Sequence, residues 1–389
     1  MPITIDGTGT ITGATTLAST VASPTFTTPA LGTPASGILT SCTGVPFDGF
    51  KNRIINGAMV IDQRNAGASV TPTNGQYTLD RWVYSLAQTS KLTTQQSTTA
   101  PTGFASSLLV TSSSTYAVLT GDNFNVLQWI EGYNTADLAW GTASAATVTL
   151  SFWVRSSLTG TFGGSIVNNN QNYSYPFSYT ISVANTFEYK TITIAGPTAG
   201  TWSNTTTTRN IGVWIGLGAG ASASGTAGAW AAAGYYNATG ATSVVGTNGA
   251  TFYITGVQLE KGSTASSFDY RSIGTELALC QRYYQILQNA SGGRAETTTF
   301  LNMPFRTICT MRAAPSGSIV GTIVVRDLPG TTTRTATTPG SLGVPIVNDI
   351  GGYLEFNASS WSPANFTIGN LCALACSTGV NGIALSAEL

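Results

Sequence analysis

The chain has 389 residues, 42% hydrophobic and only 8% charged, with 16 Lys+Arg against 16 Asp+Glu and no histidine. Soluble proteins are about 25% charged, so this is an uncharged polar surface around an apolar core; disorder, which pairs low hydrophobicity with high net charge, is the wrong class. The missing basic excess argues against phosphate-driven nucleic-acid binding, and the missing histidine removes the Ser–His–Asp triad, the Cys–His dyad and zinc-hydrolase motifs.

Two carboxylates suffice for glycoside hydrolysis, so that route stays open. Asp80, Glu131, Asp137, Glu188, Asp269, Glu296 and Glu355 are the available acids, and no recognisable acidic cluster joins them. The five cysteines, Cys42, Cys280, Cys309, Cys372 and Cys376, are odd in number and scattered. That predicts free thiols in a reducing cytosol. Cys372 and Cys376 lack the C-x-x-C spacing, so neither a metal site nor a cofactor is expected. No EF-hand-like spacing points to calcium. Met1-Pro2-Ile3-Thr4-Ile5-Asp6 has no basic start and no long apolar run. It predicts no signal peptide, and no apolar stretch predicts membrane insertion.

Length alone predicts more than one domain. Residues 1–50 read as an extended stalk. Ile3, Ile5 and Ile11 alternate with polar residues, and Pro24, Pro29 and Pro34 forbid a helix. Phe26, Leu31, Ile38, Leu39 and Val45 recur along a segment that cannot bury them alone. Three chains around one axis would, which predicts a homotrimer. Residues 51–273 read as a jelly-roll-like β-sandwich. Val148, Leu150, Phe152 and Val154 alternate with Thr149, Ser151, Trp153 and Arg155. Ile211, Val213, Ile215 and Leu217 alternate with Gly212, Trp214 and Gly216. Both are half-buried strand patterns. Along 251–260 the alternation slips near Gly256, which predicts a bulge.

Residues 274–389 read as a short helix and a C-terminal β domain. Thr275 is the expected cap, with Leu277, Cys280 and Tyr284 on one face. Ile319, Ile323 and Val325 read as one strand run, and Tyr353, Leu354 and Phe356 as another. Turns are expected at Pro329-Gly330, Pro339-Gly340 and Gly351-Gly352. The apolar end, Ile383-Ala384-Leu385-Ser386-Ala387-Glu388-Leu389, predicts a tucked-in final strand. The fold class expected is therefore all-β: stalk, sandwich, linking helix and C-terminal β domain.

Several motifs resemble those of bacteriophage tail-fibre and related virion proteins. Asn52-Arg53-Ile54-Ile55-Asn56-Gly57-Ala58-Met59, Asp62-Gln63-Arg64 and Leu79-Asp80-Arg81-Trp82 resemble the opening of that family's sandwich. Gln128-Trp129-Ile130-Glu131 and Leu150-Ser151-Phe152-Trp153-Val154 resemble its middle. Val257-Gln258-Leu259-Glu260-Lys261-Gly262, Phe268-Asp269-Tyr270-Arg271, Leu277-Ala278-Leu279-Cys280-Gln281-Arg282-Tyr283-Tyr284 and Ala387-Glu388-Leu389 resemble its end. The stretch from Ser23 to Pro46 resembles fibre-shaft repeats. The family's sandwich is similar to carbohydrate-binding modules. The resemblance implies sugar binding and carries no catalytic pattern.

On that basis the expectation is a non-enzymatic virion protein. It would be a trimeric tail fibre, joined to other tail proteins by its N-terminal segment and binding a host-surface glycan. A head fibre or connector-associated decoration, or a polysaccharide-degrading tailspike, are the alternatives. Sugar sites combine aromatic faces with a few polar groups. Trp230, Tyr235 and Tyr236, in a Gly/Ala-rich loop, and Tyr173 and Tyr175, in a tyrosine-rich stretch, are the candidate ligand-binding residues. The competing role for these rings is core or interface packing. Asp80-Arg81-Trp82, Glu131 and Arg155 are expected to form an internal charge network, because scarce half-buried charges need partners.

Overall fold

The computed structural model describes residues 50–297, 300–328, 333–336, 342–343, 346–348, 350–357, 368–375 and 381–389. The expected stalk, Phe50 apart, and the turns expected at Pro329-Gly330 and Pro339-Gly340 lie outside the described residues. The described residues belong to one unit.

The described chain is all-β with a short helix. The first strands are β1 (Val83–Leu86), β2 (Leu92–Ser97), β3 (Ser107–Ser112), β4 (Asn123–Glu131), β5 (Val148–Ser156), β6 (Gly160–Asn168), β7 (Ser174–Ile181), β8 (Glu188–Ile194), β9 (Arg209–Ala219), β10 (Ser224–Gly225), β11 (Asn237–Ala238) and β12 (Thr251–Lys261). Two five-stranded sheets carry the fold, in the orders β2-β3-β12-β5-β8 and β1-β4-β9-β6-β7. Every pairing within them is antiparallel. Period-2 side chains let each sheet turn one apolar face inward. Leu150, Phe152, Val154, Phe252 and Ile254 thus share one core with Phe124, Val126, Phe162, Ile166, Val213 and Ile215. Each fully buried side chain of this size contributes about 1.5–3 kcal/mol of transfer free energy. The expected bulge is present: register shifts between Thr255 and Gln258, and Gly256 has φ +62°. A glycine suits that left-handed position.

The half-buried pattern expected of β9 needs correction. Asn210 through Gly218 are buried on both faces. The outward Trp214 is covered by a segment described below.

Many of the motif residues meet in one polar seam. Asn52 Nδ2 donates to Val257 O at 3.0 Å, and its Oδ1 accepts from Ile54 N and Leu259 N at 2.9 and 3.1 Å. Gln128 exchanges two 2.8 Å bonds with the Ile55 backbone. Asn56 binds both Ile61 backbone groups and the Asp80 carbonyl, and Trp82 Nε1 donates to Asn56 O at 3.1 Å. These amides stand in for sheet hydrogen bonds where the entering chain crosses the sandwich, and bond the backbone of Ile54, Ile55, Ile61, Asp80, Val257 and Leu259.

Helix α1 (Ile273–Gln281) starts before the expected cap. Ser272 is the capping position, and Thr275 lies in the first turn with its hydroxyl 2.8 Å from Ser272 Oγ. The buried helix residues are Glu276 and Cys280. Tyr284 belongs to the next strand.

The remaining strands are β13 (Tyr284–Leu287), β14 (Asn289–Ala295), β15 (Phe300–Arg306), β16 (Ser316–Val320), β17 (Ile323–Leu328), β18 (Thr333–Ala336), β19 (Leu342–Gly343), β20 (Ile346–Asn348), β21 (Gly351–Asn357), β22 (Leu371–Ala375) and β23 (Gly382–Ser386). They build a three-stranded sheet, β13-β23-β16, and an eight-stranded sheet around β14, β15, β17, β21 and β22. Two expectations are corrected here. Ile319 and Ile323 sit in separate strands, divided at Gly321, which has φ +63°. Gly351-Gly352 is not a turn: it opens β21 and pairs with Phe305 and Arg306. The final strand is tucked in as expected, between β13 and β16.

Beyond β23 the chain docks against the sandwich. Arg81, only 1% exposed, forms an ion pair with Glu388, and Arg64 Nη2 reaches the same carboxylate at 2.7 Å. The Arg81 and Arg64 guanidinium groups lie 3.6 and 3.5 Å from the ring centres of Tyr283 and Tyr284. Arg312 donates to the Ala387 and Glu388 carbonyls at 2.7 and 2.8 Å. Burial disfavours the charged form of Arg81 most strongly, but Glu388 together with Tyr283, Tyr77 and Cys280 outweighs it and holds its pKa above the ordinary value. Glu131 accepts from Arg282 Nη2 at 2.7 Å and Tyr283 Oη at 2.8 Å. The charge network is therefore present for Arg81 and Glu131. Arg155 is not part of it. It points outward from β5, donates to Asn185 O at 2.9 Å and lies 4.8 Å from the Tyr253 ring, because odd positions of that strand face away from the core.

Candidate functional site

The two sheets treat their outer faces differently. On the β1-β4-β9-β6-β7 sheet, Val83, Leu127, Trp129, Val167 and Trp214 form a buried cluster. The Gly/Ala-rich segment between β9 and β12 covers it. That segment holds β10 and β11, paired in parallel, and its Asn237 side chain presses on the sheet. A Cβ at Gly216 would lie 2.3 Å from Asn237 Nδ2, and one at Gly163 would lie 2.4 Å from Asn237 Oδ1. Glycines in the strands are thus what lets the cover settle. Tyr236 stacks on Trp214 with ring centres 4.5 Å apart at 26°. Tyr77 and Leu389 close the edge, Tyr77 Oη donating to Leu389 O at 2.5 Å. Burial pushes the Tyr77 hydroxyl up to about 12.

The sequence candidates divide between two places. Trp230, Tyr173 and Tyr175 come together. Trp230 stacks on Tyr173 at 5.5 Å and 15°, and its centre is 5.3 Å from Tyr175. Trp140 and Trp202 meet it edge-on at 5.6 and 5.7 Å. Its Nε1 donates to Ala195 O at 2.8 Å. The ring is half-buried and ties the covering segment to its neighbours. Tyr235 and Tyr236 lie elsewhere. Tyr235 packs over Gly225, whose Cβ would fall 2.3 Å from the ring, and Tyr236 belongs to the Trp214 cluster.

The outer face of the β2-β3-β12-β5-β8 sheet is open. A cavity of about 430 Å³ there is lined by Trp153 of β5, Tyr189 of β8, Gly256 of β12 and Phe104, Phe268 and Tyr270 from loops. Ser151, Ser266 and Ser267 supply hydroxyls. Trp153 and Tyr189 are cross-strand partners, ring centres 5.3 Å apart at 46°. Phe104, Phe268 and Tyr270 form a second group with centres 4.9–5.5 Å apart. The bulge brings the two groups together: a Cβ at Gly256 would lie 2.6 Å from Phe104 and 3.2 Å from Trp153. Tyr189 is 42% exposed and Tyr270 60%.

Buried Glu260 holds the serine wall. It accepts from Ser266 Oγ at 2.5 Å, Ser266 N at 2.8 Å and Gln258 Nε2 at 2.8 Å. Tyr270 Oη donates to Gly103 O at 2.6 Å and fixes that rim. Across the Phe104–Phe268–Tyr270 wall lies a smaller cavity of about 230 Å³ beside Arg271, which pairs with Glu276 at 3.3 Å and Asp269 at 3.7 Å. A wider hollow of about 940 Å³ lies among the C-terminal strands, rimmed by exposed Ile308, Ile350 and Tyr353. The Trp153 cleft combines exposed rings with serine hydroxyls on the outer face of the sheet. Sequence reasoning missed it, although the slip at Gly256 marked its floor.

No protein-family model and no curated protein sequence matches the chain. Among solved structures it is similar to the enzymatically active domain of bacteriophage CBA120 tailspike protein 4, at 16% identity and TM-score 0.30, over 55% of this chain and 22% of that one. It is also similar to a sugar-binding protein, described as putative, from Bacteroides thetaiotaomicron, at 12% identity and TM-score 0.34, over 54% of this chain and 100% of that one. A third is the family 11 carbohydrate-binding module of a Clostridium thermocellum cellulosomal cellulase, at 11% identity and TM-score 0.25, over 52% and 99%.

Proposed function

We propose that this chain is a structural protein of a phage virion, a tail fibre that binds host-surface glycans through its sandwich. The observation that carries the binding role is the Trp153–Tyr189 cleft. It is a rigid aromatic concavity with hydroxyls and exposed rings, the make-up of a small-ligand site. The virion role rests on the motif resemblance and the nearly uncharged composition. Residues 1–50 serve as a trimeric stalk joining the other tail proteins, 51–273 as the binding sandwich, and 274–389 as the helix and C-terminal β domain.

The chain works by binding rather than hydrolysis. Four of the candidate acids are held in ion pairs: Glu131 with Arg282, Asp137 with Arg53, Glu188 with Lys190 and Asp269 with Arg271. No carboxylate lines the cleft. Trp230 with Tyr173 and Tyr175 is the alternative binding surface, because those rings are half-exposed. Labelled protein adsorbing to host cells tests the reading. Adsorption is expected to vanish after periodate oxidation of the cell surface and to fall in Trp153→Ala. No adsorption to untreated cells would place the chain among non-receptor-binding decorations, and adsorption indifferent to both treatments would point to a receptor other than a glycan. A monodisperse monomer by mass measurement would remove the trimer.

A further inference from the structure

We infer that the Trp153 cleft takes a neutral glycan, presented by the C–H face of a pyranose ring, and rejects anionic ones. The inference rests on the proposed glycan-binding role and narrows it. Anionic sugars are recognised by arginine or lysine, whose charge-assisted hydrogen bonds grip carboxylate, sulfate or phosphate. Every side chain lining this cleft is neutral.

The cations nearest along the lining strands are committed elsewhere. Arg155 is two residues from Trp153, on the same face of β5. Its guanidinium donates to Asn185 O and lies against Tyr253 and Phe187. Lys190 follows Tyr189 but pairs with Glu188 at 2.7 Å. Glu260, directly behind the serine wall, adds negative charge at the back of the cleft. An anion entering would lose water, meet no cation among the lining side chains and face a carboxylate.

The lining instead matches an uncharged sugar. Trp153 and Tyr189 lie in contact at 46° to each other, so together they offer an angled aromatic platform to one face of a ring. Serine hydroxyls both donate and accept, as sugar hydroxyls do.

The test uses the full chain and isothermal titration. The probes are neutral gluco-, galacto- and manno-oligosaccharides and their sulfated, phosphorylated and uronic-acid counterparts. Binding to at least one neutral probe is expected. It should weaken roughly tenfold in Trp153→Ala, and change less than about twofold between about 0.05 and 0.5 M salt. If Trp153→Ala does not fold, Tyr189→Ala replaces it, since that ring is largely at the surface. Cleft-dependent binding confined to anionic probes, with steep salt dependence, would overturn the neutral assignment and leave the glycan role standing. Binding of no probe through the cleft would overturn both.

Discussion

The two outer faces of the sandwich begin from the same kind of strand and end differently. β5 and β9 both alternate aliphatic residues with a tryptophan. Trp214 on β9 is 3% exposed, roofed by the protein's own Gly/Ala-rich segment and C-terminal residues. Trp153 on β5 lines an open cleft. A sheet face is available for binding only where no segment of the same chain covers it. The Gly/Ala-rich composition that marks a loop as open in sequence is here what allows it to pack flat.

The sealed face depends most on the buried ion pair that docks the C-terminal residues. Glu388→Ala leaves Arg81 without its main counter-charge in a site 1% exposed. A loss of about 3–5 kcal/mol is expected, measured by denaturant unfolding. A change under about 1 kcal/mol would mean that the dock is ornamental.

Trp230→Ala sharpens the comparison. Its ring is held by Tyr173, Trp140 and Trp202, so a stability loss of about 2 kcal/mol is expected, below the cost of deleting a fully buried tryptophan. Glycan adsorption at a temperature well under the unfolding midpoint should be kept. Lost adsorption with unchanged stability would move the binding site to this cluster.

The sealed side should also leave a pH signature. Burial pushes the Asp80 carboxyl up to about 6 from 3.8, against the lowering effects of Arg64 and of hydrogen bonds from Gln63. A raised folded-state pKa means that the folded protein holds the proton more tightly. The stability this contributes is full below about pH 4 and lost as pH rises through about 6. The wild-type minus Asp80→Asn stability difference should therefore fall across that window. A flat difference would show Asp80 fully ionised and satisfied.

The smallest stability effect is expected on the open side. Tyr189→Ala removes a ring 42% exposed, so unfolding should shift by less than about 0.5 kcal/mol while adsorption weakens. A large stability loss would show that the cleft ring is packing, as on the sealed face.

Much of the fold was legible in the sequence. Alternation placed β5, β9 and β12, and the slip at Gly256 marked the bulge, because period-2 patterns are set by the core itself. The cleft was not legible. Trp153 and Tyr189 meet only through the β5–β8 register, and Phe104 and Phe268 lie far apart along the chain. The half-buried packing of Tyr235 on Gly225 and of Tyr236 on Trp214 was not legible either, because nothing local says that a loop folds back over its own sheet. Arg155 looked like a network member because scarcity of charge identifies which residues need partners but not which face they occupy.

The most direct measurement is a crystal structure of the full chain soaked with the oligosaccharide that binds best in solution. The account predicts sugar density in the cleft against Trp153 and Tyr189, with the Trp214 face still covered. Density on Trp214 with the covering segment displaced, or sugar bound only at Trp230, would contradict it.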